Sequence, residues 1–211
     1  MITSSAYEGG PLLALDGDLP SSKLINDLYS SHTPLIAADG AALKLRDRDI
    51  RPDIIIGDLD TLRDERHDPF FAEATIIADP GQDEYDSGKA LAWIIGKGYE
   101  QVMVIGAEGG MIDHVLNNFS LLARFSDRLR IAVRQEDSVG YIVRDELQLS
   151  TEPGDRISLI PLPKARVTTE GLQWNLNNEI LEIRSREGGS NRAVENRVVV
   201  QVVGTIALFS Y

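Results

Sequence analysis

The sequence predicts an α/β chain followed by an all-β part. Three observations lead there. Apolar runs alternate with helical patterns about five times before residue 136. Several of those runs are continuously apolar, as strands of a parallel sheet covered by helices on both faces should be. After residue 136 the helical patterns stop, and short segments separated by Gly, Pro and Asn take over. The expected architecture is an N-terminal doubly wound, mostly parallel sheet over residues 1–136 and a C-terminal β-sandwich over 137–211.

The elements follow in order. Residues 12–15 form a short apolar strand that ends in Asp16-Gly17, and Ser21 or Ser22 caps a helix to about Tyr29. PLIAADG is a second strand ending in Asp39-Gly40, with a helical AALKLRD after it. Residues 53–57 end in Gly57-Asp58-Leu59-Asp60. Residues 75–78 end at Asp79 and precede a helix from about Glu84 to Lys97. Residues 101–105 end at Gly106, a helix spans Ile112–Phe125, and residues 130–134 close the series. In the second part YIVRDELQLS, RISLIPL, ARVTTE, LQWNL, ILEIR, VVVQVV and TIALFS are the expected strands.

Composition narrows the function. The net charge is −12, with −10 carried by residues 1–136 and −2 by the remainder. An acidic chain repels a phosphate backbone, so nucleic acid is an unsuitable partner. A nucleotide is not excluded, because acidic groups can hold a divalent cation that in turn holds phosphate. No apolar run is long enough for a membrane span, and the N-terminus lacks the pattern of a signal peptide. With no cysteine, thiolate metal sites are excluded and a cytoplasmic location is expected.

Acidic and small residues gather just after the strands, where open α/β sheets bind ligands. Asp58 and Asp60, two apart on an extended segment, would present carboxylates to one face. Two close carboxylates repel unless a cation lies between them, and magnesium suits oxygen ligands shared with phosphate. Asp83 and Asp86 open the next helix, with Lys89 three residues further along the same face; Asp83 would also serve as an N-cap. Gly109 and Gly110 precede a helix carrying Asp113 and His114, and glycines there let backbone N–H groups approach an anion. Neither the P-loop nor the G-x-G-x-x-G fingerprint is present.

Together these blocks resemble the thiamin pyrophosphokinase family. Asp39-Gly40-Ala41, Gly57-Asp58-Leu59-Asp60-Thr61, Gln82-Asp83-Glu84-Tyr85-Asp86 with Lys89-Ala90-Leu91, and Gly109-Gly110-Met111-Ile112-Asp113-His114 match four family blocks in order. Ser158–Leu162, Gly171–Leu176 and Ser190-Asn191 extend the likeness to the C-terminal part. There are departures. Met111 stands where the family usually has Arg, Tyr85 where it has Thr, and Asp16 where it commonly has Asn.

The resemblance implies transfer of pyrophosphate from ATP to the hydroxyl of thiamin, giving thiamin diphosphate and AMP, with Mg2+. It implies a homodimer whose active sites lie between subunits. Asp58, Asp60 and Asp86 are the expected catalytic and metal-binding residues. Lys89, Gly109 and Gly110 are expected to contact phosphate, Asp39 and Gln82 to contact nucleotide or thiamin, Asp83 to support the metal and triphosphate, Asp113 to help bind the co-substrate, and Trp174, Ser190 and Asn191 to contact thiamin. Two alternatives remain open: a thiamin- or nucleotide-binding regulator without catalysis, and a pyrophosphokinase acting on another heterocyclic alcohol.

Overall fold

The structure is a computed structural model that describes residues 3–211. It forms two compact units. One comprises residues 8–121 and 133–136; the other comprises 137–211 together with the described residues up to Tyr7 and residues 122–132. The division is therefore not a single cut in the chain.

The first unit is the α/β part. Its strands are β1 (Leu12–Ala14), β2 (Leu35–Ala38), β3 (Ile54–Gly57), β4 (Thr75–Ala78) and β5 (Gln101–Ile105). Its helices are α1 (Ser22–Tyr29), α2 (Ala41–Arg46), α3 (Asp86–Gly96) and the greater part of α4 (Ile112–Phe125), and β6 (Arg130–Arg134) follows. The sheet runs β5-β1-β2-β3-β4, all parallel. β1 and β2 are buried at every position, which is why they are continuous apolar runs rather than alternating ones. Ser21 caps α1 by accepting from the Leu24 amide at 3.3 Å, as its position before the apolar pattern implied.

Strand order makes the site. The chain lays down β1 to β4 in one direction and then crosses to place β5 on the other side of β1. The order reverses between β1 and β5, and the loops leaving those two strands stay joined, the Gly17 amide donating to the Gly106 carbonyl at 2.9 Å and the Asp18 amide to the Glu108 carbonyl at 2.6 Å. Both loops lie at the carboxyl ends of the strands, where open α/β sheets bind ligands.

The second unit is an antiparallel β domain. It contains β7 (Val139–Val143), β8 (Glu146–Ser150), β9 (Arg156–Glu170), β10 (Glu179–Glu182), β11 (Gly188–Arg192) and β12 (Arg197–Ser210). β9 and β12 pair along nearly their whole length, with a register shift between Gly204 and Ile206. β10 and β11 flank the two halves of β9, while β8 and β7 flank the two halves of β12. Leu147, Ile157, Leu159, Val167, Leu181, Val198, Val200, Ile206 and Leu208 form its buried interior.

Several element boundaries differ from expectation. RISLIPL and ARVTTE are one strand, as are VVVQVV and TIALFS. LQWNL forms no strand. The Asn175 side chain accepts from the Leu172 amide at 3.1 Å and bonds the Thr169 hydroxyl at 3.2 Å, which folds the segment into a turn. Gly188-Gly189, expected as a separator, belongs to β11. α3 begins at Asp86 rather than near Glu84 because Tyr85 holds an extended backbone (φ −65°, ψ 154°).

Candidate active site

Loops after β1, β2, β3 and β5, with the first turn of α3, enclose a cavity of about 360 Å³. Its walls include Asp16, Asp39, Thr61, Tyr85, Asp86, Gly109, Gly110, Met111, His114 and Asn118.

β2 delivers Asp39, buried and in the left-handed backbone region (φ 31°). Its Oδ2 accepts from the Thr61 amide at 3.0 Å, whereas Oδ1 is buried with no hydrogen-bond partner. Burial raises the Asp39 pKa, the Asp86 charge adds to the rise, and the Thr61 hydrogen bonds oppose it. β3 delivers Asp58 and Asp60. The segment does not continue extended, because Leu59 is left-handed (φ 64°). That turn lets Asp58 Oδ1 accept from the Asp60 amide at 3.1 Å. Asp58 Oδ2 accepts from Gln82 Nε2 at 3.1 Å. The Asp60 amide chiefly, helped by Gln82 and the Lys89 charge, lowers the Asp58 pKa against a smaller opposing effect of burial. Asp39, Asp58 and Asp60 each offer a carboxylate oxygen, and these oxygens lie within 4.8 Å of one another. A buried carboxylate oxygen with no donor, beside two further carboxylates, fits a hard divalent cation.

α3 delivers Asp86 at its first residue. Asp86 Oδ1 accepts from the Asp58 amide at 3.1 Å and from Lys89 Nζ at 2.9 Å. The Lys89 side chain is buried. Burial works against its charge, but the hydrogen bond and charge of Asp86, with Asp58 and Asp79, outweigh that and raise its pKa. Lys89 therefore fixes Asp86 and is absent from the cavity wall. A Cβ at Gly57 would lie 2.7 Å from Asp39 Cβ and 3.0 Å from Asp86 Cγ, so only glycine lets β3 pass between them. Gly109 (φ +80°) holds another tight place, where a Cβ would lie 2.1 Å from the Asp18 carboxylate.

Of the residues expected here, Asp39, Asp86, Gly109 and Gly110 line the cavity, and Asp58 and Gln82 are hydrogen-bonded beside it. Asp83 and Asp113 are exposed and line no part of the wall. Asp83 does not cap α3. The capping position belongs to Tyr85, and the early carboxylate is Asp86, held by Asp58 and Lys89. Tyr85, His114 and Asn118 line the wall although the sequence motifs assigned them no role there, Tyr85 and His114 standing inside the matched blocks; His114 and Asn118 lie on the helix that follows the glycine pair, one turn apart.

Trp174, Ser190 and Asn191 come together within the β domain. Trp174 is 58% exposed. Asn191 is buried, and its side-chain amide is bonded at both ends: Oδ1 accepts from the Trp174 and Arg192 amides at 3.1 and 2.9 Å, and Nδ2 donates to the Trp174 carbonyl at 2.7 Å. It holds the turn that presents the indole. Ser190 is left-handed (φ 60°), and its hydroxyl accepts from Arg156 Nη2 at 2.8 Å.

Residues 25–133 match the family described as thiamin pyrophosphokinase, catalytic domain, and residues 144–206 match its vitamin B1 binding domain. The chain belongs to the thiamin pyrophosphokinase family. It is 31% identical to thiamine pyrophosphokinase 1 of Arabidopsis thaliana, over 83% of this chain and 70% of that one. It is 27% identical to thiamine pyrophosphokinase of Bacillus subtilis, over 93% and 92% of the two chains. The fold superposes on yeast thiamin pyrophosphokinase with a TM-score of 0.81, at 18% identity, covering 99% of this chain and 90% of that one.

Two outcomes follow from this packing. Gly57→Ala should destabilise the protein by about 1–3 kcal/mol in urea unfolding, because the methyl group must push Asp39 or Asp86 aside; unchanged stability contradicts the close approach. In metal-free protein the raised Asp39 pKa means that the folded state binds more protons than the unfolded state above about pH 4. That contribution favours folding at low pH and is lost as pH rises through the folded value. Asp39→Asn should remove this falling contribution, measured as urea-unfolding free energy against pH in EDTA.

Proposed function

We infer that this chain is a thiamin pyrophosphokinase that moves the β,γ-pyrophosphoryl group of ATP to the thiamin hydroxyl and releases AMP. The observation that carries the reading is the Asp39–Asp58–Asp60 oxygen cluster beside a cavity at the strand carboxyl ends, in a chain of this family.

Asp39, Asp58 and Asp60 are proposed to hold Mg2+. Asp39 takes this place alongside Asp58 and Asp60 because it keeps a buried oxygen without a donor and one of its carboxylate oxygens lies within 4.8 Å of theirs, whereas one Asp86 oxygen is committed to Lys89 and the Asp58 amide. The cation supplies charge neutralisation of the triphosphate and its developing negative charge. Asp86, fixed by Lys89, is proposed to orient the thiamin hydroxyl and to draw its proton. The backbone at Gly109 and Gly110 is proposed to receive phosphate oxygens. Pyrophosphoryl transfer depends on positioning more than covalent help, and rigid carboxylates serve that need.

Trp174 is proposed to stack on the cationic ring system of thiamin. Asn191 contributes by holding the Trp174 turn rather than by touching substrate. The proposal includes a homodimer in which the β domain of one subunit completes the site of the other, supported by the exposed indole and the family resemblance. Among the described residues, no helix is long and apolar enough to cross a membrane. A cytoplasmic location is proposed on the absence of cysteine.

The test is turnover. With ATP, Mg2+ and thiamin, chromatography should detect thiamin diphosphate and AMP in equal amounts. Asp58→Asn should lower the rate by roughly a hundredfold or more while the fold is retained. Binding of both substrates without product would point instead to a regulator, and wild-type rates in Asp58→Asn would remove Asp58 from the site.

A further inference from the structure

The β domain holds two cations that the proposed roles leave unused. β11 pairs with β9 in a register that sets Arg192 directly opposite Arg156. Opposed residues of an antiparallel pair share one face, with Cβ atoms about 5 Å apart, and like charges there repel. Both side chains are exposed, and among the described residues neither makes an ion pair with a carboxylate. The acid nearest in sequence, Asp155, is turned into its own loop, where Oδ2 accepts from the Glu152 amide at 2.8 Å. In a chain of net charge −12, an opposed and unneutralised arginine pair needs a reason.

The pair is also held in place. The Arg156 guanidinium lies 5.3 Å from the centre of the Tyr211 ring and donates to Ser190 Oγ at 2.8 Å. Arg192 Nη1 donates to the Gly154 carbonyl at 3.4 Å. The Ser190 amide donates to Ser158 Oγ at 3.0 Å, which fixes the left-handed residue. Because Ser190 Oγ accepts from Arg156, its own hydrogen remains available to donate. Two planar donor forks and a hydroxyl on one face match an anion with several oxygens and more than one charge.

We propose that Arg156 and Arg192, with Ser190 as a third donor, form a binding site for a phosphate- or pyrophosphate-bearing anion. The geometry of the pair stands on the β domain alone. The choice of pyrophosphate as ligand rests on the proposed reaction, whose donor and product both carry that group. Arg156 is then held by Ser190 and Tyr211 for this anion, and the site needs no metal ion.

Calorimetric titration of inorganic pyrophosphate into the intact protein, in EDTA at constant ionic strength, tests this. Wild type is expected to bind pyrophosphate more tightly than inorganic phosphate. Arg156→Gln and Arg192→Gln should each weaken binding by about tenfold or more, as loss of a charged hydrogen-bond donor does. Arg156→Lys, which keeps charge but loses the fork, should fall between. Asp58→Asn should bind as wild type does. Absence of binding at millimolar pyrophosphate, or equal binding by wild type and a folded Arg156→Gln/Arg192→Gln variant, overturns the proposal. Arginine-dependent binding in a protein that shows no turnover would remove the proposed reaction and leave this site standing. Normal turnover with arginine-independent binding would do the reverse.

Discussion

Crowded carboxylates are the constraint on which the α/β unit turns. Oxygens of Asp39, Asp58 and Asp60 lie within 4.8 Å of one another. At an effective dielectric of about 20, two unit charges at that distance repel by on the order of 3 kcal/mol. The fold offsets this unevenly. Asp58 receives the Asp60 amide and Gln82, and Asp86 receives the Asp58 amide and a buried ammonium from Lys89. Asp39 Oδ2 receives the Thr61 amide, while Oδ1 stays buried without a donor. The buried Asp39 oxygen is thus left without a donor in a residue that lies beside two further carboxylates. That residual imbalance is what a divalent cation would relieve.

The rest of the unit serves that arrangement. The parallel sheet brings the ends of β2 and β3 side by side, and Gly57 removes the one Cβ that would hold Asp39 and Asp86 apart. The joined loops after β1 and β5 supply the part of the cavity wall made by Asp16, Gly109 and Gly110. In the β domain a buried amide does comparable work. Asn191 uses both acceptor positions and one donor on the Trp174 turn and its own neighbour, so an exposed indole is presented from a held turn.

Much of this was legible in residue order. Continuous apolar runs predicted the parallel strands, because full burial leaves no polar alternation. Asp58, Asp60 and Asp86 stood out because acids gathered at successive strand ends. Other features depended on tertiary contacts that no local pattern carries. Asp39 stood out as a strand-end acid in its Asp-Gly-Ala block, but its place beside Asp58 and Asp60 comes from the pairing of β2 with β3. Asp83 had a capping signal, yet the start of α3 is set by the long-range partners of Asp86. LQWNL alternates like a strand, but Asn175 bonds its own backbone locally and wins over a ladder. Gly188-Gly189 looked like a break and became part of β11 because β9 offered an edge to pair with. That Arg192 stands opposite Arg156 was invisible until that register was known.

The central claim is that Asp39, Asp58 and Asp60 form one divalent-cation site. Titration of metal-free protein with Mn2+, followed by the electron paramagnetic resonance signal of the free ion, tests it most directly. Wild type should show a single tight site that is lost in Asp39→Ala and Asp60→Ala and kept in Asp83→Ala and Asp113→Ala. Undiminished Mn2+ binding by Asp39→Ala would contradict it.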